Sequence, residues 1–162
     1  MKRDNQSHYI DLKALIDHQR HDRYQALLIL SEPGQGHSRA AQRLTERIGA
    51  YYLNLLDYFK ARPELCARID RFGIDDLEEL LLGLEVPEKI VVVDDLDFLL
   101  NTWREDQREA FVEILLDQRL DTLERGVKLF VFFSLDDAYL RQHPLTNTRR
   151  ENRILRLSKV SF

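Results

Sequence analysis

Two short stretches carry residue types that together could bind and cleave a phosphoanhydride. The first is Ser31-Glu32-Pro33-Gly34-Gln35-Gly36-His37-Ser38, between an apolar run (Ala26 to Leu30) and a helical pattern (Arg39 to Ile48). A phosphate-binding loop has the form G-x-x-x-x-G-K-[ST] between a strand and a helix. Gly36 and Ser38 fit that form; Ser31 stands where it has its first glycine and His37 where it has lysine. In such a loop the backbone N–H groups wrap a β-phosphate, helped by the positive end of the following helix. Gly34 and Gly36 would let that backbone approach closely. Glu32, Pro33, Gly34, Gln35, Gly36, His37, Ser38 and Arg39 are therefore the candidate nucleotide-binding residues, with the Ser38 hydroxyl also a ligand for Mg²⁺. Lysine supplies a permanent charge on the β- and γ-phosphates. An imidazole is shorter and, at its ordinary pKa of about 6.5, mostly neutral at pH 7.

The second stretch is Ile90-Val91-Val92-Val93-Asp94-Asp95-Leu96-Asp97. A carboxylate ending a buried strand, about 55 residues after the loop, is placed to hold the water shell of Mg²⁺. Asp94 takes that role, so Ser38 and Asp94 form the expected Mg²⁺ pair. Asp95 would polarise the attacking water, although its carboxylate is set back relative to a glutamate, and small misplacements are costly in rate. A third feature is the basic run Arg149-Arg150-Glu151-Asn152-Arg153. It reads as a solvated loop or as a patch for DNA phosphates through Arg149, Arg150 and Arg153.

These residues need a scaffold. Residues 7–22 have helical periodicity, with Ser7 or Asp11 near the start. Gln25 to Leu30 reads as a buried strand, and residues 38–48 as a helix stopped by Gly49. Tyr51 to Leu56 reads as a strand, and Asp57 to Leu84 as a helix in two pieces, broken at Phe72-Gly73, with Asp75 capping the second. Lys89 to Val93 is a β-branched run of the kind a strand buried on both faces needs. Glu105 to Leu123 reads as a long helix closed by Gly126, Val127 to Phe133 as a strand, Asp136 to Arg141 as a short helix, and Asn152 to Leu157 as a last strand. Alternating strands and helices predict an α/β, three-layer α-β-α fold on a five-stranded, mainly parallel sheet. The expected order across the sheet is last, first, fourth, third, second strand. The chain is expected to be one domain over residues 1–162, with a leading helix and linker in 1–24, a core in 25–158, and no lid domain after the last strand.

The 162 residues are 44% hydrophobic and 32% charged, with a net charge of −4, which gives no global attraction to nucleic acid or membranes. One cysteine, Cys66, suits a reducing compartment, and neither a secretory signal nor a run of about 20 apolar residues is visible. The expectation is a cytoplasmic protein with no membrane association. His8, His18, His21 and His143 have no metal spacing with Cys66; Trp103 and the phenylalanines of 129–133 read as core. Tyr51-Tyr52 reads as packing, with base stacking as the other possibility.

Together, the loop and the aspartate motif resemble the AAA+ and RecA-like ATPases of the P-loop superfamily. Their loop often reads G-E-P-G-T-G-K-[ST], and their second motif four apolar residues followed by D-E-x-D. The resemblance runs from about Gln25 to Leu157 and implies ATP or ADP with Mg²⁺ as ligands. It implies a polar sensor at Ser134, and an arginine that reaches a neighbouring subunit's nucleotide at Arg150, from R-x-x-R at Arg150 and Arg153. The small core, with Tyr52-Leu53-Asn54-Leu55 preceding Val93-Asp94-Asp95-Leu96-Asp97, also resembles the BrxF-type P-loop proteins of bacterial phage-exclusion (BREX) systems. That implies a homo-oligomer or a larger ATPase of a defence complex as partner. The expected function is a weak or partner-dependent ATPase. Two alternatives stay open: a nucleotide-sensing or DNA-associated pseudo-ATPase, and a small P-loop kinase with residues 141–153 as lid.

Overall fold

A computed structural model of the chain describes residues 9–118, 128–143 and 145–162. Its centre is a five-stranded, all-parallel sheet. The strands are β2 (Ala26–Ser31), β3 (Tyr51–Asn54), β4 (Ile90–Asp94), β5 (Leu129–Leu135) and β6 (Ile154–Arg156), ordered β3-β4-β5-β2-β6. This is the order and the α/β class expected from the sequence. A separate parallel pair joins β1 (Ile10–Asp11) to β7 (Val160–Ser161).

Side-chain alternation explains why the central strands are apolar throughout. In β2, Leu28 and Leu30 face one layer while Leu27 and Ile29 face the other. The first layer holds α3 (Leu55–Lys60), α5 (Ile74–Leu82), α6 (Asp97–Thr102), α7 (Glu105–Phe111) and α8 (Ala138–Arg141), through residues such as Phe59, Leu77, Leu99, Phe111 and Leu140. The second holds α1 (Leu12–Gln19) and α2 (His37–Ile48), through Leu12, Leu15, Ile16, Ala41 and Leu44. Among the described residues, no helix is long and apolar enough to cross a membrane.

Several boundaries move from their sequence positions, each for a local reason. Residues 10–11 are strand rather than helix, and Asp11 caps α1 by accepting from the Ala14 N–H at 3.1 Å. The second strand stops at Asn54, whose side chain accepts from the Asp57 N–H at 2.9 Å and starts α3. A four-residue helix, α4 (Pro63–Cys66), and a 3₁₀ turn (Ile69–Arg71) fill the span before α5. Asp76, not Asp75, caps α5, accepting from the Gly73 N–H at 2.8 Å. After Phe111, α7 widens into π geometry over Val112–Gln118; the remainder of the expected helix and its stop at Gly126 lie outside the described residues.

Candidate phosphate loop and carboxylate site

The loop after β2 is built as its glycines require. Gly34 and Gly36 have φ of 84° and 68°, in the left-handed region that favours glycine. A Cβ built on either would meet nothing within 4 Å among the described residues beyond its chain neighbours, so the space beside them is open. Glu32 N–H donates to Gln35 Oε1 at 2.7 Å, and Gln35 N–H to the Glu32 carbonyl at 3.2 Å, which closes the turn. The turn opens onto a hollow of ≈ 590 Å³ at the start of the twelve-residue helix α2. Arg39 and Arg43, one turn apart on α2, line it beside Gly34 to Ser38. The fit to a phosphate chain is thus good on three counts: open backbone, a helix N-terminus and two guanidinium groups. The sequence reading names Arg39 but misses Arg43, which i, i+4 spacing from Arg39 could have flagged.

The second motif meets the loop at the C-terminal edge of the sheet. His37 Nε2 lies 3.0 Å from Asp95 Oδ1 and 3.7 Å from Asp94 Oδ1. The altered loop residue therefore faces the two carboxylates, and Ser38 follows it in the chain. Asp94 is fully buried, and both of its oxygens already have protein donors. Tyr52 Oη–H donates to Oδ2 at 2.6 Å, and the Asp95 N–H to Oδ1 at 2.8 Å. Parallel register explains the Tyr52 contact. Tyr52 pairs with Val92 and Asn54 with Asp94, so Tyr52, Asn54 and Asp94 share one face at the strand ends. Asn54 Nδ2 donates to Asp95 Oδ2 at 2.8 Å. Asp95 itself has a left-handed backbone, φ 57°, which turns the chain from β4 toward α6. Each Asp94 oxygen accepts one protein donor and keeps a second lone pair, so Asp94 could still meet Mg²⁺ through water, with the Ser38 hydroxyl as the other group that would hold it.

Burial foremost, with the Asp94 carboxylate adding to it, pushes the Tyr52 phenol up to about 12 from 10.0. The unfolded tyrosine ionises first as pH rises. Stability is therefore intact below pH 10 and should fall as pH climbs from there through about 12. Tyr52→Phe should abolish that alkaline loss. At pH 7 it should cost about 1–3 kcal/mol, because Asp94 stays buried with one donor fewer. Urea unfolding midpoints across pH measure both effects.

Burial likewise raises the Asp97 carboxyl, with Asp95 adding to the shift and His37 opposing it. Ser134, the penultimate residue of β5, is fully buried beside β2. Its hydroxyl donates to the Leu135 carbonyl at 3.1 Å, and its own carbonyl lies 3.4 Å from Ser31 Oγ.

The basic run lies elsewhere. Asn147 Nδ2 donates to Gln19 Oε1 at 3.0 Å and Thr148 N–H to Asp22 Oδ2 at 3.0 Å, which pins this segment before the start of β2. A six-residue strand spans about 20 Å, so Arg149 and Arg150, both exposed, sit at the edge opposite the loop. Arg150 reaches a nucleotide only if that nucleotide belongs to another molecule. Arg153 corrects the sequence reading. It is fully buried, donates to the carbonyls of Thr146, Ala26 and Leu116, and stacks 4.4 Å from the Tyr24 ring, so it is shielded from any DNA phosphate. Of the basic run, Arg149 and Arg150 remain exposed.

The fold and the loop define an α/β protein whose five-stranded parallel sheet is consistent with a Rossmann-like or P-loop-like core. The chain matches no protein-family model, no curated protein and no solved structure with which it was compared.

Proposed function

We propose that the chain binds ATP or ADP with Mg²⁺ in the hollow formed by the loop after β2 and the start of α2, as an AAA+-like subunit whose hydrolysis is slow in isolation. The observation that carries this reading is the meeting of His37, at the start of α2, with Asp94 and Asp95 at the end of β4. A phosphate loop and a carboxylate pair separated by more than fifty residues converge on one sheet edge, where open α/β sheets take their ligands. In this reading the backbone of residues 32–39 holds the phosphates, Arg39 and Arg43 supply charge that lysine would have given, and Asp95 orients water. The resemblance to BrxF-type proteins adds a larger phage-defence ATPase, or further copies of this chain, as partner.

A second reading draws on the same contacts. The His37–Asp95 pair and the two donors on Asp94 keep the catalytic candidates engaged with one another, which suits a nucleotide-sensing module that does not turn over. Single-turnover hydrolysis measured across protein concentration separates the two. A shared site predicts a rate that rises with concentration and falls at least about 10³-fold in Arg150→Ala, the scale of an arginine supplied in trans. Binding without turnover at any concentration would instead support the sensing module. Brisk turnover by dilute protein, indifferent to Arg150, would refute the shared-site reading.

A further inference from the structure

We propose that His37, Asp95 and Asp97 form a binding site for a divalent transition-metal ion. One donor atom from each lies within 4.8 Å of the others. His37 Nε2 and Asp95 Oδ1 are already 3.0 Å apart. Donors at about 2.0–2.2 Å from a common ion stand roughly 3.3 Å apart in a tetrahedron, so His37 and Asp95 already have the spacing of two ligands, and Asp97 offers the third donor within 4.8 Å.

Two features distinguish this cluster from a solvated acidic turn. Asp97 Oδ1 is buried and has no hydrogen-bond partner among the described residues, a costly state for a carboxylate oxygen that a bound cation would relieve. Asp95 is oriented from behind: Asn54 Nδ2 holds Oδ2 at 2.8 Å, leaving Oδ1 toward His37. Such outer partners fix the ligands of metal sites. Asp94 lies outside this set of three donors, its oxygens accepting from Tyr52 and the Asp95 N–H.

The donor set selects the ion. Mg²⁺ and Ca²⁺ take oxygen ligands, whereas imidazole with carboxylates suits Mn²⁺, Fe²⁺, Co²⁺ or Zn²⁺. Three protein donors leave positions for water, the arrangement of an open site rather than a closed structural one. His37 would ligate through Nε2 with its ring proton on Nδ1. The site is built from protein groups alone and does not depend on the nucleotide reading.

The test uses tag-free protein, stripped with chelator and titrated with Co²⁺ in the absence of nucleotide. Visible ligand-field absorption reports binding. Wild type should bind Co²⁺ with this signal. His37→Lys keeps a cation opposite Asp95 but removes the ligand, and Asp97→Asn is isosteric. Each should weaken binding at least tenfold with an unchanged circular dichroism spectrum. Asn54→Ala should cost about 10–100-fold by releasing Asp95. His143→Ala, remote from the cluster, should change nothing. An absence of Co²⁺ binding by wild type, or undiminished binding in either His37→Lys or Asp97→Asn, would overturn the proposal.

Discussion

Arg153→Ala should destabilise the protein by about 3–5 kcal/mol, the range for disrupting a buried charged network or emptying a large core volume. The side chain is fully buried, and its guanidinium joins three segments distant in sequence. It donates to Ala26 at the start of β2, to Leu116 in the π segment after α7, and to Thr146 in the loop before β6. It also lies over the Tyr24 ring, and its charge helps hold the Asp22 carboxylate ionised. Truncation leaves three carbonyls without their donor and a void among them, so both the transfer and the hydrogen-bond terms act in one direction. For a chain of this length the melting temperature should drop by about 10 °C. Arg153→Lys should recover only part of the loss, since an ammonium lacks the planar fork that serves several acceptors at once. Thermal and urea unfolding of the three proteins measure this; a loss below about 1 kcal/mol in Arg153→Ala would show that the network is dispensable.

That residue also shows where sequence reading stops. Arg149, Arg150 and Arg153 look alike in a basic run, and spacing alone assigns Arg153 to an R-x-x-R pair. Its burial depends on Tyr24, Ala26 and Leu116, whose approach follows from sheet order rather than from any local pattern. Sheet order itself was legible. The apolar runs at 26–30, 90–93 and 129–133 are continuous because both faces are covered, and each alternates with a helical segment. The glycine turn after β2 was legible for a related reason: glycines at left-handed positions between a strand and a helix leave a local signature. Tyr52 and Asn54 were not recognised as site residues, because their roles exist only in parallel register with β4. Asp97 was quoted within the motif and given no role. Only the turn at Asp95 and the entry into α6 bring it toward His37.

Calorimetric titration with Mg-ATP and Mg-ADP tests the central claim most directly, and two glycine variants make it specific. Gly36 and Gly49 have nearly the same left-handed φ, 68° and 65°, and at each an added Cβ meets no atom within 4 Å among the described residues beyond its own chain neighbours and helix backbone. Alanine therefore imposes a similar backbone penalty on the fold at both positions. They differ in what lies outside. Gly49 ends α2, whereas Gly36 borders the loop hollow, where a Cβ intrudes on any phosphate drawn close to the backbone. Wild type should show saturable binding of both nucleotides. Gly36→Ala should weaken it at least about tenfold, on the scale of losing one charge-assisted backbone contact to phosphate, while Gly49→Ala should leave it unchanged. An absence of binding by wild type, or equal affinities in the two variants, would contradict a phosphate site at this loop.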